Sequence, residues 1–242
     1  MLNTHANEGG ILLKIAGLQK MTLLDFPGRI ACTVFLPGCN LRCPFCHNAS
    51  LVLPEREKEI ITEEELFTFL SSRQKKLDGV CVTGGEPTLY IDLPELLNKI
   101  KAMGFQVKLD TNGTNPEMLR EIIRNGLCDY VAMDIKNSPE RYTETCGGID
   151  VLEQVRQSAA LLMQGNVDYE FRTTVMHPFH TPEELTQIGK WLQSAKRYFI
   201  QGFVDSGDLL SSGNEALTEN EMKELLLAVQ KYIPSTQLRG LS

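Results

Sequence analysis

The chain alternates short β-rich runs with longer helical patterns, and this alternation limits the possible folds more than any other feature. Runs rich in apolar and β-branched residues indicate strands. Six of them occur, at Ile30–Leu36, Gly79–Thr83, Phe105–Leu109, Tyr130–Asp134, Tyr169–Val175 and Tyr198–Val204. Patterns with helical spacing lie between and after them, at Thr62–Gln74, Leu93–Met103, Pro116–Asn125, Val151–Gln164, Pro182–Ser194 and Glu219–Tyr232. Strands that alternate with helices form a parallel sheet with the helices packed outside it.

Local signals mark where several of these helices begin and end. Thr62 stands three residues before Glu65, which is the spacing of a capping box. Further helix starts are indicated at Thr181-Pro182 and Thr218. Glycines that typically stop helices follow the patterns at Gly104, Gly126 and Gly165. The helical patterns are therefore separate elements, as strand–helix units require.

Six strand–helix units are fewer than the eight of a closed barrel. Right-handed crossovers curl such a sheet toward a barrel, so the residues alone allow an open doubly wound sheet or a partial barrel. A length of 242 residues suits one sizeable domain. We therefore assign residues 30–242 to a single domain and residues 1–29 to an N-terminal extension. Within that extension, Ile11–Gly28 is expected to pack across one edge of the sheet.

Composition excludes several classes of partner. The 24 basic residues are outnumbered by 31 acidic ones, and the formal charge of −7 disfavours nucleic acid, which binds clustered Lys and Arg. No apolar stretch approaches the length of a membrane span, and the N-terminus lacks the pattern of a secretory signal. Seven cysteines without framework spacing are typical of a reducing compartment. We expect a cytoplasmic protein without nucleic-acid or membrane partners.

Three cysteines stand close together at Cys39, Cys43 and Cys46. A cubane iron–sulfur cluster has four irons and is normally held by four thiolates. Three thiolates would leave one iron open to a substrate, by the logic that separates catalytic from structural zinc sites. The alternative is a zinc site that adds His47 or a distant ligand, although closed zinc sites usually use two separated pairs of ligands. The spacing favours the cluster.

The other cysteines and two histidines predict no chemistry of their own. Cys32 and Cys81 lie within apolar runs and are interpreted as small core residues. Cys128 and Cys146 lie near the ends of elements and are interpreted as inert thiols. The remaining candidates are two histidines after the fifth strand, which we expect to be solvated loop residues; they are His177 and His180.

Polar motifs follow nearly every predicted strand at its carboxyl end, where α/β folds bind their ligands. The second strand runs into Gly84-Gly85-Glu86-Pro87, and paired glycines let the backbone approach a ligand closely. The third and fourth strands end in Asp110-Thr111-Asn112-Gly113 and Asp134-Ile135-Lys136. Arg172 on the fifth strand shares the parity of Glu170 and would point into the barrel mouth. Carboxylates beside Lys and Arg predict a pocket for a zwitterionic ligand.

The cysteine run resembles the cluster loop of the radical S-adenosylmethionine (SAM) enzymes. In that family three cysteines hold a [4Fe–4S] cluster, and SAM chelates the fourth iron through its amino and carboxylate groups. One electron then splits SAM into methionine and a 5′-deoxyadenosyl radical. The resemblance implies that Cys39, Cys43 and Cys46 bind the cluster and that Phe45 lies near the adenine. It also implies an α/β fold of partial (β/α)6 barrel type, with parallel strands and outer helices.

Within that family the chain resembles the activating enzymes of glycyl-radical enzymes. The shared motifs are Asp25-Phe26-Pro27-Gly28-Arg29, Cys46-His47-Asn48, Asp110-Thr111-Asn112-Gly113 and Asp134-Ile135-Lys136. Motifs and resemblance together imply SAM contacts from Phe45, His47, Gly84, Gly85, Glu86, Asp110, Thr111, Asn112, Asp134, Ile135, Lys136 and Arg172. Glu86 would hold the amino group of SAM. The resemblance further implies that Asp110, Thr111 and Asp134 hold a monovalent cation beside SAM.

One departure separates the chain from the activators of pyruvate formate-lyase, which carry a His after the sixth strand that touches SAM. Here the region reads Gln201-Gly202-Phe203-Val204, and Gln201 is the candidate substitute. The implied function is hydrogen abstraction from a glycine of a partner enzyme, with anaerobic ribonucleoside-triphosphate reductase favoured. A flavodoxin or ferredoxin would donate the electron. Two alternatives stay open, a radical SAM enzyme acting on a small molecule, such as a 7-carboxy-7-deazaguanine synthase, and a non-catalytic zinc-binding module.

Overall fold

The computed structural model describes residues 13–46, 48–53, 60–205 and 207–240. These residues form one eight-stranded sheet whose strands follow the order of the chain. The strands are β1 (Gly17–Thr22), β2 (Ala31–Leu36), β3 (Gly79–Gly84), β4 (Gln106–Thr111), β5 (Tyr130–Asp134), β6 (Asp168–Val175), β7 (Tyr198–Gly202) and β8 (Gln237–Arg239). Strands β2 to β8 pair in parallel, and β1 pairs antiparallel with β2. The predicted parallel α/β architecture is confirmed.

Helices fill the connections between the parallel strands. They are α1 (Ala49–Val52), α2 (Glu63–Arg73), α3 (Leu93–Ala102), α4 (Pro116–Arg124), α5 (Tyr142–Thr145), α6 (Leu152–Met163), α7 (Pro182–Trp191) and α8 (Glu219–Gln230). Capping boxes begin α2 at Thr62, α7 at Thr181 and α8 at Thr218, so the predicted helix starts are confirmed. The predicted stops at Gly104 and Gly126 have φ of +91° and +64°, a left-handed conformation that glycine adopts without strain.

All six predicted strands are present, with Tyr130–Asp134 unchanged and the boundaries of the others within two residues of the prediction. Two further strands were not predicted. The strand β1 reads Gly-Leu-Gln-Lys-Met-Thr and is half exposed, and β8 has only three residues, so neither carries a clear hydrophobic pattern. The predicted packing of the N-terminal segment on the sheet edge takes the form of β1, while residues 1–12 lie outside the described part of the chain.

The core lies between the sheet and its outer helices. Val80 and Val82 of β3 are fully buried, as are Leu97 of α3 and Ile122 of α4. Strands covered on both faces are expected in parallel sheets. The inner face of the sheet is more polar, because alternate residues such as Lys108 of β4 point inward and are also buried. The inner face therefore carries the polar chemistry, and the outer face carries the apolar packing.

None of the helices in the described ranges is long and apolar enough to cross a membrane.

Candidate active site

A cavity of about 740 Å³, counted to its open mouth, lies at the carboxyl ends of β2 to β6. All but three of the predicted site residues line it, namely Cys39, Cys43, Phe45, Cys46, Gly84, Gly85, Asp110, Thr111, Asn112, Asp134, Lys136 and Arg172. Of the other three, Glu86 and Ile135 are buried away from the cavity, and His47 lies outside the described residues. Motifs from five strand ends are thus brought to one place.

The cysteine loop after β2 places its three thiols on the cavity wall. Backbone hydrogen bonds shape the loop, with the Cys46 N–H donating to the Cys43 carbonyl at 3.0 Å. The Leu41 N–H lies 3.4 Å from Cys39 Sγ, and the Asn112 side-chain amide lies 3.8 Å from the same sulfur. Donors of this kind stabilise a thiolate. The loop is therefore arranged to present sulfur ligands.

The three thiols differ in acidity. Burial raises the pKa of Cys39 to about 12 and also raises that of Cys46. The pKa of Cys43 is lowered to about 7, chiefly because Cys146 hydrogen-bonds to it and, after the opposing effect of burial, because Lys136 is near. Thiols bind metal as thiolates, so loading this site releases protons from Cys39 and Cys46.

The set of available ligands bears on the two metal hypotheses. Within the described ranges, no three His, Cys, Asp or Glu side chains converge on a point that could hold one metal ion. A zinc ion needs such convergence, because all of its ligands bind the same atom. In a cubane each thiolate binds a different iron, so the three sulfurs stand apart around a shared space. Three thiols that line one cavity fit a [4Fe–4S] cluster with one iron left open.

Cys146 is a neighbour of this loop that sequence reasoning interpreted as an inert thiol. It is fully buried just after α5, and its thiol hydrogen-bonds to Cys43. The backbone confirms the approach, because the Arg42 N–H donates to the Cys146 carbonyl at 3.3 Å. A Cβ on Gly147, whose φ is +78°, would lie 2.3 Å from the Arg42 carbonyl. No sequence signal links residues so far apart in the chain.

The glycine pair after β3 is explained by packing rather than by a free backbone. The Gly85 N–H donates to the Leu36 carbonyl and the Glu86 N–H to the Gly38 carbonyl, both at 2.8 Å. A Cβ on Gly85 would lie 1.9 Å from the Gly38 oxygen, so only glycine fits. The glycines therefore press the β3 loop against the cysteine loop and form the floor of the cavity.

Glu86 differs from its predicted role at the SAM amino group. Its side chain is fully buried, and its Oε1 accepts hydrogen bonds from the Thr88 N–H, the Thr88 hydroxyl and the Thr111 hydroxyl. Its Oε2 accepts from the Asn112 N–H at 2.6 Å. Burial raises the pKa of Glu86, and these donors oppose the rise. Glu86 therefore ties the β3 loop to the end of β4 and positions the lining residues without facing the cavity.

Charged side chains form a row along the inner face of β4, β5 and β6. Arg172 donates from Nη1 to Asp110 Oδ2 at 3.1 Å and from Nε to Asp134 Oδ1 at 2.9 Å. Lys136 Nζ donates to Asp134 Oδ2 at 3.0 Å, and Lys108 donates to Asp110 Oδ1. The inward direction predicted for Arg172 is confirmed, and Lys108 is an addition that sequence reasoning missed. Three cations thus face two carboxylates.

The cations of this row keep the carboxylates of Asp110 and Asp134 ionised. Burial alone raises the pKa of Asp110, but Arg172 and Lys108 outweigh it and leave that pKa below its ordinary value. Burial likewise raises the pKa of Asp134, and Arg172 and Lys136 bring it well below the ordinary range. With one positive charge in excess, this wall of the cavity attracts an anionic group while offering carboxylate oxygens to a cationic one.

A buried histidine, His180, hydrogen-bonds to the loop after β5 that carries Lys136, which is called the Lys136 loop. The expectation of a solvated His180 was wrong, because its side chain is 2% exposed. Its Nδ1 accepts from the Met176 N–H at 3.4 Å, so its Nε2 donates to the Lys136 carbonyl at 2.9 Å. Burial lowers the pKa of His180 to about 4. The ring also lies 6.2 Å from that of Phe45, so neutral His180 connects the Lys136 loop to the cysteine loop.

The segment after β7 covers the cysteine loop. Gln201, the candidate substitute for a sixth-strand His, does not line the cavity. Instead, the Ala49 N–H donates to the Asp208 carbonyl at 3.1 Å, and the Leu210 N–H donates to the Cys46 carbonyl at 3.3 Å. The Ser211 N–H donates to the Pro44 carbonyl at 3.1 Å. What this strand end supplies is a backbone cover over the thiols, which no sequence motif indicated.

The Asp25–Arg29 motif lies at the opposite end of the barrel. It forms the turn between β1 and β2, where Asp25 accepts a hydrogen bond from Thr33 at 2.5 Å. The Phe26 ring lies at this end, 6.1 Å from the Tyr130 ring and against Gly79. The motif therefore shapes the amino end of the strands and contributes nothing to the cavity.

Comparisons with known proteins match the chain to one family. Residues 33–192 match the family model of the Radical SAM superfamily. A Methanocaldococcus jannaschii protein provisionally named a glycyl-radical enzyme activating enzyme is 34% identical over 238 residues, 94% of this chain and 96% of the relative. The pyruvate formate-lyase-activating enzyme of Listeria monocytogenes is 28% identical over 200 residues, 76% of this chain and 77% of the relative.

Two further likenesses are weaker or concern the fold alone. The 7-carboxy-7-deazaguanine synthase of Thermococcus kodakarensis is 28% identical over 161 residues, 59% of this chain and 62% of that enzyme. The solved structure of Streptococcus suis SuiB bound to precursor peptide SuiA superposes with a TM-score of 0.67 at 14% identity, covering 84% of this chain and 46% of that one. A match at that identity shows a shared fold.

Proposed function

The chain belongs to the radical SAM superfamily, and from this premise we propose that it activates a glycyl-radical enzyme, namely anaerobic ribonucleoside-triphosphate reductase. Its family uses a [4Fe–4S] cluster and SAM. Once reduced by an electron donor, the bound cluster would supply one electron to SAM, which would split into methionine and a 5′-deoxyadenosyl radical able to take a hydrogen atom from a glycine. The protein's own part is to bind, orient and exclude water.

The residues divide this work between two walls of the cavity. Cys39, Cys43 and Cys46 would hold the cluster on one wall. Arg172 and Lys136 carry the positive excess on the other wall, and we assign them to the carboxylate of the methionyl group. The carboxylates of the same row would accept hydrogen bonds from the ribose hydroxyls or the amino group. Both ends of a zwitterion are thereby matched.

One observation carries the assignment to glycyl-radical enzymes. The relative that shares 34% of its residues with this chain does so over nearly the full length of both, and its name places it among the activating enzymes. The likeness to the deazaguanine synthase is lower in identity and covers a smaller part of each chain. The described sheet also has β1 and β8 at opposite edges, so it is open and could admit a loop of a partner enzyme.

The choice of ribonucleotide reductase rests on a finer comparison. Pyruvate formate-lyase activators are expected to touch SAM with a His after the sixth strand, and this chain has Gln201 there, which is not among the residues that line the cavity. The backbone of the segment after β7 instead hydrogen-bonds to the cysteine loop. We further propose a reduced flavodoxin or ferredoxin as the electron donor and the cytoplasm as the compartment.

Electron paramagnetic resonance on candidate partners tests the function. The reconstituted protein is incubated anaerobically with SAM, reduced flavodoxin and either an anaerobic ribonucleotide reductase or a pyruvate formate-lyase. We expect a glycyl-radical doublet in the reductase, together with 5′-deoxyadenosine. The Cys43→Ala variant should give neither signal, and Cys128→Ala, which changes a buried cysteine outside the cavity, should give both.

Other outcomes would contradict parts of the proposal. A doublet in the lyase alone would support the function of an activating enzyme, but it would change the proposed partner to pyruvate formate-lyase. Cleavage of SAM without a radical in either enzyme, but with a 7-carboxy-7-deazaguanine product, would favour the small-molecule enzyme. A colourless protein that retains zinc would overturn the radical chemistry altogether.

A further inference from the structure

Lys108 is a lysine inside the barrel, and its environment is unusual for this residue type. It lies on β4 two residues before Asp110, so both side chains point to the inner face of the sheet. Its side chain is 1% exposed, whereas lysine is almost never fully buried unless paired. Its ammonium donates to Asp110 Oδ1 and lies 3.7 Å from Cys81 Sγ. Asp110 is therefore its charged partner.

Lys108 differs from the other two cations of the row in its access to a ligand. Arg172 and Lys136 line the cavity, so both can turn toward a bound carboxylate. Lys108 lies below the cavity and is not part of its lining. When a zwitterionic ligand engages Arg172 and Lys136, Lys108 is the cation that remains fixed on Asp110.

The monovalent cation implied by the resemblance does not fit this arrangement. Each carboxylate oxygen of Asp134 already accepts from a cationic side chain, and so do both oxygens of Asp110. The Thr111 hydroxyl donates to buried Glu86 and accepts from the Gly113 N–H. A free ion beside Asp110 would lie next to the fixed Lys108 ammonium, and like charges 4 Å apart repel by about 4 kcal/mol at the effective dielectric of a protein surface.

We propose that the Lys108 ammonium takes the place of the monovalent cation, so that this chain binds SAM without K⁺ or Na⁺. Lys108 is then a positioning residue, which neutralises Asp110 and holds its carboxylate in place beside the ligand without touching it. The proposal rests on SAM binding, which belongs to the family, and not on the identity of the glycyl-radical partner. A result that contradicts the role of Lys108 would therefore leave the proposed partner enzyme untouched, and the reverse also holds.

SAM affinity in different salts tests the proposal. Isothermal titration calorimetry on the anaerobic, cluster-loaded protein is run in potassium, sodium or choline chloride at one ionic strength. We expect the wild-type Kd to be equal in the three salts to within about twofold, which is about 0.4 kcal/mol. The Lys108→Met variant should bind about tenfold more weakly in choline and recover in potassium or sodium, because a free ion can then occupy the vacated space beside Asp110.

The Lys101→Met variant is the matched control. Lys101 pairs with Asp129 at 2.7 Å and is partly exposed outside the cavity, so its loss should leave the SAM affinity and the salt response unchanged. A tenfold loss of wild-type affinity in choline would overturn the proposal. So would a Lys108→Met protein whose SAM affinity is the same in all three salts.

Thermal unfolding provides a readout that needs no cluster or SAM. If the Lys108→Met protein does not fold, the wild-type measurements still decide the question. The Tm of the cluster-free wild type should be the same in potassium and choline at equal ionic strength. A selective rise in potassium would show that an ion binds despite Lys108 and would contradict the proposal.

Discussion

The two ends of the barrel both contain ion pairs that line a cavity, but the pairs differ in their charge balance. At the carboxyl ends of the strands, Asp110 and Asp134 meet three cations beside an open cavity. At the amino ends, Arg239 donates to the two oxygens of Glu170 at 2.7 and 2.8 Å. The Tyr130 hydroxyl adds a third hydrogen bond to Glu170 at 2.8 Å. The charge of the Glu170 carboxylate is matched by one guanidinium, whereas the row at the carboxyl ends keeps one positive charge in excess.

Because of this difference, we assign ligand binding to the carboxyl end of the barrel and structural support to the amino end. Glu170 joins β6 to β8 through Arg239 and to β5 through Tyr130, so its hydrogen bonds hold neighbouring strands together. A row with excess positive charge offers a cation to an incoming anionic group, whereas the charge of Glu170 is balanced by Arg239. We therefore expect changes at the carboxyl end to alter ligand binding and changes at the amino end to alter stability.

The largest effect is expected from removing the thiols that line the cavity. They lie at the carboxyl end of the barrel. Each of Cys39→Ala, Cys43→Ala and Cys46→Ala should abolish the cluster, because a cubane cannot be held by two thiolates. Iron content and visible absorption after anaerobic reconstitution measure the loss. Cys128→Ala should retain both signals. A brown, iron-loaded Cys43→Ala protein would contradict the assignment of ligands.

The carboxyl end should also be sensitive to mild acid through His180. Its folded pKa of about 4 lies below the ordinary value of about 6.5, so the unfolded chain binds the proton more readily. Its contribution is fully present above pH 6.5 and is lost as pH falls toward 4, by about 3 kcal/mol. Denaturant titrations at several pH values measure this slope. His180→Gln should flatten it, and an unchanged slope would refute the role.

Arg172→Gln tests the excess charge. The variant leaves Asp110 with Lys108 and Asp134 with Lys136, so the fold should persist. We expect SAM affinity to fall about 100-fold, or about 2.7 kcal/mol, because a charged hydrogen-bond donor is lost. Calorimetry on the loaded protein gives the Kd. Affinity equal to the wild type would show that Arg172 serves the fold alone.

Glu170→Gln tests the opposite end. Gln keeps the size of the side chain but removes the charge that Arg239 and Tyr130 hydrogen-bond to, so we expect about 2 kcal/mol less stability toward denaturant. SAM affinity should stay within about twofold of the wild type. A larger loss of SAM affinity than of stability would break the distinction between the two ends.

The smallest effect is expected from Cys146. Its hydrogen bond to Cys43 should stabilise the reduced cluster, because hydrogen bonds to the sulfurs help to set the potential. Cys146→Ala should lower the midpoint potential by an amount equivalent to about 1 kcal/mol or less, and Cys146→Ser should largely restore it. A spectroscopic redox titration measures the shift. Equal potentials in all three proteins would exclude the contact as a determinant.

Periodicity alone determined the six parallel strands, their helices and the gathering of the strand-end motifs. Carboxyl ends of parallel strands meet at one edge, so Asp110, Asp134 and Lys136 are brought together wherever such a sheet forms. Parity along β6 also predicted that Arg172 points inward. The cysteine spacing determined a thiol-rich loop, since all three ligands lie on one short segment.

Tertiary structure alone decided which partner each side chain meets. Glu86 turns from the cavity to four donors, Cys146 reaches Cys43, and Lys108 comes to lie on Asp110. These contacts depend on the twist of the sheet and on loops packing against one another across the chain. A repeating pattern specifies the face on which a residue lies, but the curling of the sheet into an open barrel specifies its neighbour, because only then are burial and charge balanced together.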